Sequence, residues 1–355
     1  MRSALPLLLI ILLSCSKDEP VPTRTFLMGF QNSAPRYDDF DMVIKTLQMW
    51  VDPGDVAMIT TEVPWTELLA GQPAADYVNT NYKGLVDYYR QHNLRLWVYI
   101  DPENGLNRSS DSQTLAAAGK SIADDDAQKI YRKFVIAMDS ILKPEHIGLA
   151  LETNLIRLSA PSAIYNGVKK AANDAAQDLK TRNTQASLSV SVQADVAWGS
   201  LQGTFQYTGI AQDLSDFSFV TELGISSYPY FAYEDPKDLP ADYYDRIQND
   251  ASMPVFVSEG GWTSQGITGP NNNQLQGSEQ IQSDYILKQA DMLNRADATA
   301  LFSLTFTDID LTTVPSGVDP TVKYFAYLGV VDKDLNPKQS FDAWKKIFSY
   351  RTVTR

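Results

Sequence analysis

Two glutamates in this 355-residue chain each end a short apolar run of sequence. Glu152 follows residues 147–151, and Glu259 follows residues 254–258. Carboxyl groups held at buried strand ends are partly desolvated, so one can stay protonated as a general acid while the other stays ionised. Cleavage of a glycosidic bond needs such a pair, with carboxyl groups about 5–5.5 Å apart for retention and ~6.5–9.5 Å apart for inversion. Glu152 and Glu259 are therefore the candidate catalytic residues.

Eight short β-branched or aromatic runs must position these glutamates, and each is followed by a longer helical pattern. The predicted strands are residues 25–31, 56–61, 94–100, 147–151, 187–192, 223–227, 254–258 and 300–305. Amphipathic helices are predicted over residues 126–142, 163–181, 279–295 and 341–348. Eight strand–helix units predict an α/β fold, a (β/α)8 TIM barrel in a single domain over residues 25–355. A doubly wound open sheet is the alternative, but no glycine-rich phosphate-binding motif follows the first run.

The composition excludes several classes of protein and site. The chain has 30 basic and 43 acidic residues and a net charge of −13, which excludes a nucleic-acid binder. The two histidines, His92 and His146, precede predicted strands and so belong to the face of the barrel opposite the active site. A single cysteine excludes a Cys-rich zinc site. We expect neither a metal nor a cofactor.

Polar and aromatic residues follow the same strands and are candidates for substrate binding. Rings with a polar edge stack on the apolar face of a sugar while their N–H or O–H group reaches its hydroxyls. The acidic charge disfavours a polyanionic ligand, so a neutral carbohydrate is the expected substrate. For each ring, the alternative is packing beneath its own loop. The predicted substrate-binding residues are Tyr228, Tyr230, Trp262, Asn154, Trp65, Trp198 and Asp101.

Three segments resemble the clan A glycoside hydrolases, and most closely the endo-β-1,4-galactanase family (glycoside hydrolase family 53). They are residues 224–231 (GISSYPYF), residues 258–262 (SEGGW), and residues 328–332 (LGVVD) with the Pro, Lys and Trp that follow. The resemblance implies a TIM barrel in which Glu152 is the acid/base, Glu259 the nucleophile and Tyr228 a hydrogen-bonding partner of the nucleophile. The chain departs from the family at Leu151, where clan A usually has Asn, and in its second strand, which lacks the family's Arg.

These observations favour a retaining glycosidase that cleaves a neutral polysaccharide or oligosaccharide. The two departures motivate an alternative, a non-catalytic glycan-binding protein built on a degenerate glycosidase barrel. A third reading keeps the two carboxylates but gives them other acid/base chemistry, because a barrel fold by itself fixes no reaction.

The first 24 residues predict an export signal and tether rather than part of the fold. Arg2 is followed by an apolar run over residues 5–13, which has the length of a signal-peptide core and is too short to span a bilayer. Residues 12–15 (LLSC) resemble the lipobox of bacterial lipoproteins, in which Cys15 is acylated. Residues 16–19 (SKDE) resemble the export signal of Bacteroidetes surface lipoproteins. We therefore expect a monomer that is lipid-anchored to the outer membrane and exposed at the cell surface; an ordinary secretory signal is the alternative.

Overall fold

The computed structural model describes residues 22–270 and 272–353. Eight parallel strands close into a barrel in which each strand pairs with the next along the chain, and the eighth pairs with the first. The predicted (β/α)8 barrel is therefore confirmed. The barrel strands are β1 Leu27–Gln31, β2 Val56–Glu62, β3 Arg95–Asp101, β4 His146–Gly148, β5 Ser187–Gln193, β6 Glu222–Ser227, β7 Val255–Gly260 and β8 Ala300–Ser303.

Helices surround the barrel, and the longest ones agree with the sequence patterns. A side-chain cap fixes the start of the helix over Glu279–Arg295, where the Ser278 hydroxyl accepts from the N–H of Ile281. The helices of the described part are α1 Phe40–Trp50, α2 Trp65–Leu69, α3 Ala74–Asn81, α4 Lys83–Gln91, α5 Gln113–Ala117, α6 Asp125–Leu142, α7 Thr153–Ser159, α8 Ser162–Thr181, α9 Ala194–Ala197, α10 Ala211–Asp216, α11 Asp245–Ala251, α12 Glu279–Arg295 and α13 Gln339–Phe348. Short 3-10 helices cover Pro229–Phe231, Pro236–Asp238, Leu311–Thr313 and Pro320–Tyr324.

Side chains that alternate along the strands divide the core into two layers. One apolar cluster fills the barrel itself and includes Trp97, Tyr99, Phe256 and Phe302. The larger cluster lies between the strands and the helices. Gly148 in β4 makes room for the inner layer, because a Cβ atom there would lie 2.3 Å from the ring of Tyr99. The interior of the barrel is therefore filled with side chains, and any cavity must lie above it at the carboxyl ends of the strands.

The two ends of the described chain meet at the amino-terminal side of the barrel. Thr23–Arg24 pairs in parallel with Arg351–Thr352. The Arg24 guanidinium is buried, and its Nη1 lies 2.8 Å from Asp55 Oδ2. The folded part therefore includes Thr23, two residues before the predicted boundary. Cys15 and the rest of the predicted signal lie outside the described residues. No helix within those residues is long and apolar enough to cross a membrane.

Candidate active site

The carboxyl ends of the strands form the floor of a cavity of about 820 Å³. Gln31, Thr60, Asp101 and Gln193, at or near the ends of β1, β2, β3 and β5, line it together with Glu152 and Glu259. Its volume falls within the ~300–1,000 Å³ typical of small-molecule sites. The structure therefore brings the two predicted catalytic residues into one cavity, at the face where barrel enzymes carry their chemistry.

Glu152 occupies the turn between β4 and α7 in a left-handed backbone conformation, with φ of 49°. This conformation costs a non-glycine residue roughly 1–2 kcal/mol, so the surrounding contacts must hold it. The N–H of Glu152 donates to Ser191 Oγ at 2.8 Å, and its carbonyl accepts from the N–H of Leu155 in the first turn of α7. This early turn explains why β4 ends at Gly148 rather than at the predicted residue 151.

Glu259 reaches the cavity because β7 contains one extra residue. The ladder between β6 and β7 pairs Ile225 with Val257 and then Ser226 with Glu259, so Ser258 has no partner residue. Since Phe256 belongs to the cluster inside the barrel, simple alternation would turn Glu259 towards the helices. Because of the bulge, the side chains at the end of the strand change sides, and the Glu259 carboxylate lies in the barrel mouth. Gly260 follows with φ of 154°, and a Cβ atom there would lie 2.3 Å from the carbonyl oxygen of Ser227.

Arg108, on the loop after β3, is the buried cation of this site. Its Nη1 donates to Asp101 Oδ2 at 2.5 Å, and its Nε donates to Glu152 Oε2 at 2.9 Å. The guanidinium side chain is only 5% exposed, so these interactions are poorly screened by solvent. Burial works against the charge, but Asp101 and Glu152 outweigh it and raise the pKa of Arg108.

The two glutamates differ in their proton affinity. Burial raises the pKa of Glu152, but the adjacent Arg108 opposes that rise. Burial and the charge of Glu152 raise the pKa of Glu259 to about 7. Arg108 opposes this rise as well, and Gln31 Nε2 lies 3.4 Å from Glu259 Oε2. Ser226 favours the ionised form of both carboxyl groups, which shows that they face a common space. Both carboxyl groups therefore hold a proton more readily than a free carboxyl group does, and Glu259 holds it more readily than Glu152.

Two of the predicted substrate-binding residues line the cavity. Asp101 is buried on its floor and fixed by Arg108. Tyr228 lies beside the glutamates, and burial together with the charges of Glu259 and Glu152 raises the pKa of its phenol well above the usual value. No hydrogen bond joins the Tyr228 hydroxyl to another described residue, so the structure does not contain the predicted bond to Glu259.

The other five predicted substrate-binding residues do not line the cavity. The Trp198 and Trp262 indoles donate to the carbonyl oxygens of Tyr243 and Gln276. Tyr230 donates its hydroxyl to the Tyr324 carbonyl oxygen, and the Asn154 amide pairs with both backbone groups of Gln193. These side chains and Trp65 are all at most 7% exposed, and none lines the cavity. They support the loops from beneath and have no ring face or amide open to a sugar.

Sequence reasoning overlooked Arg108. One feature of the sequence could have indicated it. Asp101 ends β3 and Arg108 follows on the same loop, and an arginine that becomes buried needs an acidic partner. Arg108 supplies a positive charge to the site, although the second strand lacks the arginine that the resemblance led us to expect. It neutralises Glu152, however, whereas the resemblance led us to expect an arginine beside Glu259.

Other acidic groups near the mouth are committed to the fold. Asp308 is paired with Lys338 Nζ at 2.6 Å, and burial raises the pKa of Asp308 to about 6. Glu103 is fully buried, and neither carboxylate oxygen has a hydrogen-bond partner among the described residues. Burial and the charge of Asp101 raise the pKa of Glu103 to about 9, so it is neutral at pH 7. No group of three or more His, Cys, Asp or Glu residues in the described chain has an arrangement that could hold a metal ion.

Comparison with solved structures places this barrel beside glycoside hydrolases. A glycoside hydrolase of family 5, subfamily 18, from Bifidobacterium longum subsp. longum is 15% identical with a TM-score of 0.60, covering 93% of this chain and 80% of that one. An exo-β-1,4-mannosidase from an Opitutaceae bacterium is 13% identical with a TM-score of 0.65, covering 92% of this chain and 59% of that one. A β-glucosidase from Exiguobacterium marinum is 9% identical with a TM-score of 0.65, covering 92% and 99%.

At these identities the likeness establishes the fold. No family model matches the sequence, and no curated protein does. The chemistry must therefore be argued from the site itself.

Proposed function

We propose that this protein is a glycoside hydrolase that cleaves neutral O-glycosides with Glu152 and Glu259. The observation that carries the proposal is a pair of buried carboxyl groups, both with raised pKa, on the floor of one cavity at the ends of β4 and β7. One protonated and one ionised carboxyl group is the arrangement that glycoside hydrolysis requires. The solved hydrolases with this fold add support, since several are named for the cleavage of β-glycosides.

In the retaining reaction, the ionised glutamate attacks the anomeric carbon while the protonated one gives its proton to the glycosidic oxygen, which leaves as an alcohol. The protonated group, now ionised, then takes a proton from water. That water attacks the anomeric carbon and breaks the bond to the nucleophile, restoring both carboxyl groups. Arg108, which Asp101 also holds, balances the charge of Glu152 whenever that carboxyl group is ionised.

The family resemblance makes Glu152 the acid/base and Glu259 the nucleophile. The contact with Arg108 favours the opposite distribution of the proton. The assignment from the resemblance therefore requires Glu152 to be protonated and Glu259 to be ionised once a substrate is bound.

The test is hydrolysis of β-1,4-linked galactobiose, mannobiose and cellobiose and of the matching aryl β-glycosides, with release of sugar measured by chromatography. We expect Glu152→Gln and Glu259→Gln each to lower kcat by at least about 100-fold. Glu67→Gln, on helix α2 outside the cavity, is the matched control and should keep full activity. Full activity in both glutamine variants would reject the proposed catalytic pair.

A 2-deoxy-2-fluoro glycoside identifies the nucleophile, because the covalent intermediate accumulates and can be located by peptide mass spectrometry. A label on Glu259 supports the assignment from the resemblance, and a label on Glu152 reverses the two roles. Inverted product with no label would show that the enzyme is inverting.

The non-catalytic alternative also has an observation in its favour. The buried ion pair with Arg108 stabilises the ionised form of Glu152. A general acid must be protonated before it can act, so this contact opposes that role. Leu151 lines the cavity where the resembling families place Asn, and the Asn154 amide is occupied by Gln193. Saturable binding of one of these disaccharides by calorimetry, with no product after prolonged incubation, would favour that alternative.

We further propose that the chain is an exported lipoprotein acylated at Cys15 and displayed at the outer membrane. The lipobox-like segment supports this proposal. In a suitable bacterial host, Cys15→Ala should move the protein from the membrane fraction to the soluble fraction. Retention of Cys15→Ala in the membrane fraction would reject the proposed anchor.

A further inference from the structure

The cavity has a polar floor and apolar walls. The floor consists of strand ends, including Gln31, Thr60 and Gln193 with the two glutamates. The walls come from the loops above these strands, and most of their side chains are aliphatic or aromatic. The wall residues used below are Leu106, Leu155, Leu201, Phe231, Val322 and Phe325.

The floor fixes the orientation of any glycoside that reacts there. Beneath it, Tyr99, Phe256 and Phe302 fill the barrel, so a sugar cannot pass further down. A sugar whose anomeric carbon meets the glutamates therefore lies across this floor. Its leaving group then extends outward between the walls.

Polar groups distinguish the floor from the walls. Gln31, Glu152 and Glu259 bring amide and carboxyl groups to the floor. Higher up, the charged rim residue Arg36 is committed to Asp38 and Asp310. A second sugar between the walls would thus exchange water for a surface that is mostly aliphatic and aromatic, with few groups to bond its hydroxyls.

The walls are preassembled rather than loose. Phe325 lies edge-on to Tyr228 and Phe231, with ring centroids 5.1 and 5.9 Å away. The Thr321 hydroxyl donates to the Leu106 carbonyl oxygen at 3.0 Å, which ties the loop after β3 to the 3-10 helix that carries Val322. Such a surface binds an apolar group without a large ordering cost.

We propose that the substrate is a glycoside with an apolar leaving group, an alkyl or aryl aglycone seated against this wall. The proposal rests on the proposed hydrolase function and narrows its substrate class from glycans in general. Apolar surface removed from water supplies the affinity, while the floor binds the sugar whose bond is cleaved.

The test compares hexyl and methyl β-D-glucosides, β-D-mannosides and β-D-galactosides, because the two alcohols are similar leaving groups and differ mainly in apolar surface. We expect kcat/KM to be at least tenfold higher for the hexyl member of the pair that is cleaved. Phe325→Ser should reduce that hexyl-to-methyl ratio at least threefold. Phe205→Ser, an exposed aromatic residue that does not line the cavity, should leave the ratio unchanged. Calorimetry with Glu259→Gln measures binding of the same compounds without turnover.

Each outcome decides between the two proposals. A hexyl preference in turnover that falls in Phe325→Ser supports both. Efficient cleavage of disaccharides with no hexyl preference overturns the apolar leaving group but leaves the hydrolase standing. Hexyl-selective binding without cleavage of any glycoside supports the apolar wall and overturns the hydrolase. Failure of the hexyl glycosides to bind or react overturns the apolar-aglycone proposal.

Discussion

Replacing Arg108 by methionine should destabilise the protein in a pH-dependent way. The side chain is buried and is the shared partner of Asp101 and Glu152, at 2.5 and 2.9 Å. Methionine keeps much of the apolar volume and removes the charge. The three carboxyl groups of Asp101, Glu152 and Glu259 would then share a buried space without the cation that balances them.

The size of the effect follows from these contacts. Removing one partner of a buried ion pair typically costs ~3–5 kcal/mol of unfolding free energy. With an unfolding entropy of ~2.1 cal/mol/K per residue, this 355-residue chain would lose about 4–7 °C in Tm. Arg108 lowers the pKa of Glu152 and of Glu259, so its removal raises both. Since the unfolded carboxyl groups ionise near pH 4–5, the penalty is small at pH 5 and reaches its full size at pH 8.

Guanidinium unfolding of wild type and Arg108→Met at pH 5 and pH 8 measures this difference. Arg132→Met is the control, because Arg132 forms its ion pair with Asp178 at a partly exposed helix surface, where such pairs contribute at most about 1 kcal/mol. Adding Glu152→Gln to Arg108→Met should recover part of the lost stability by removing one unpaired charge. An equal loss at both pH values, or no loss beyond that of the control, would refute the reasoning.

Three further predictions concern titration and packing. Glu103→Gln should stabilise the protein by at least about 1 kcal/mol at pH 8 and leave its stability unchanged at pH 4. Burial holds the pKa of Glu103 at about 9, so keeping this carboxyl group protonated costs free energy only at the higher pH. Denaturant unfolding at the two pH values checks this. If the protein is a hydrolase, kcat/KM should fall above about pH 7, because Glu259, with a pKa of about 7, then loses its proton, and it should fall again in acid once Glu152 is protonated as well. A pH–rate profile checks this. Gly148→Ala should cost at least ~3 kcal/mol or prevent folding through its clash with Tyr99, whereas Gly84→Ala, with nothing within 4 Å, should change Tm little.

The sequence was sufficient to predict the architecture because alternation and capping are local signals. All eight barrel strands fall where the apolar runs are, and the predicted helix over residues 279–295 matches α12. The meeting of Glu152 and Glu259 followed from topology alone, since the carboxyl ends of parallel strands share one face. These features depend on period and order, which a single sequence contains.

What could not be predicted depends on contacts between distant loops. The indole of Trp198 is turned away from the cavity by the carbonyl oxygen of Tyr243. Arg108 is identified as part of the site only when its loop folds back over Glu152. Neither partner is near in sequence, and no spacing rule encodes which side of a loop faces the cavity.

The unpaired Ser258 has a consequence for how related chains are compared. The equivalence of two glutamates at the end of the seventh strand depends on whether both chains contain this extra residue. A gapless alignment of such strands can match two carboxylates that point to opposite sides of the barrel wall. Loss of one residue here would therefore remove Glu259 from the cavity while keeping the Glu-Gly-Gly-Trp sequence. In this segment, an insertion or deletion can abolish the site even where that sequence is preserved.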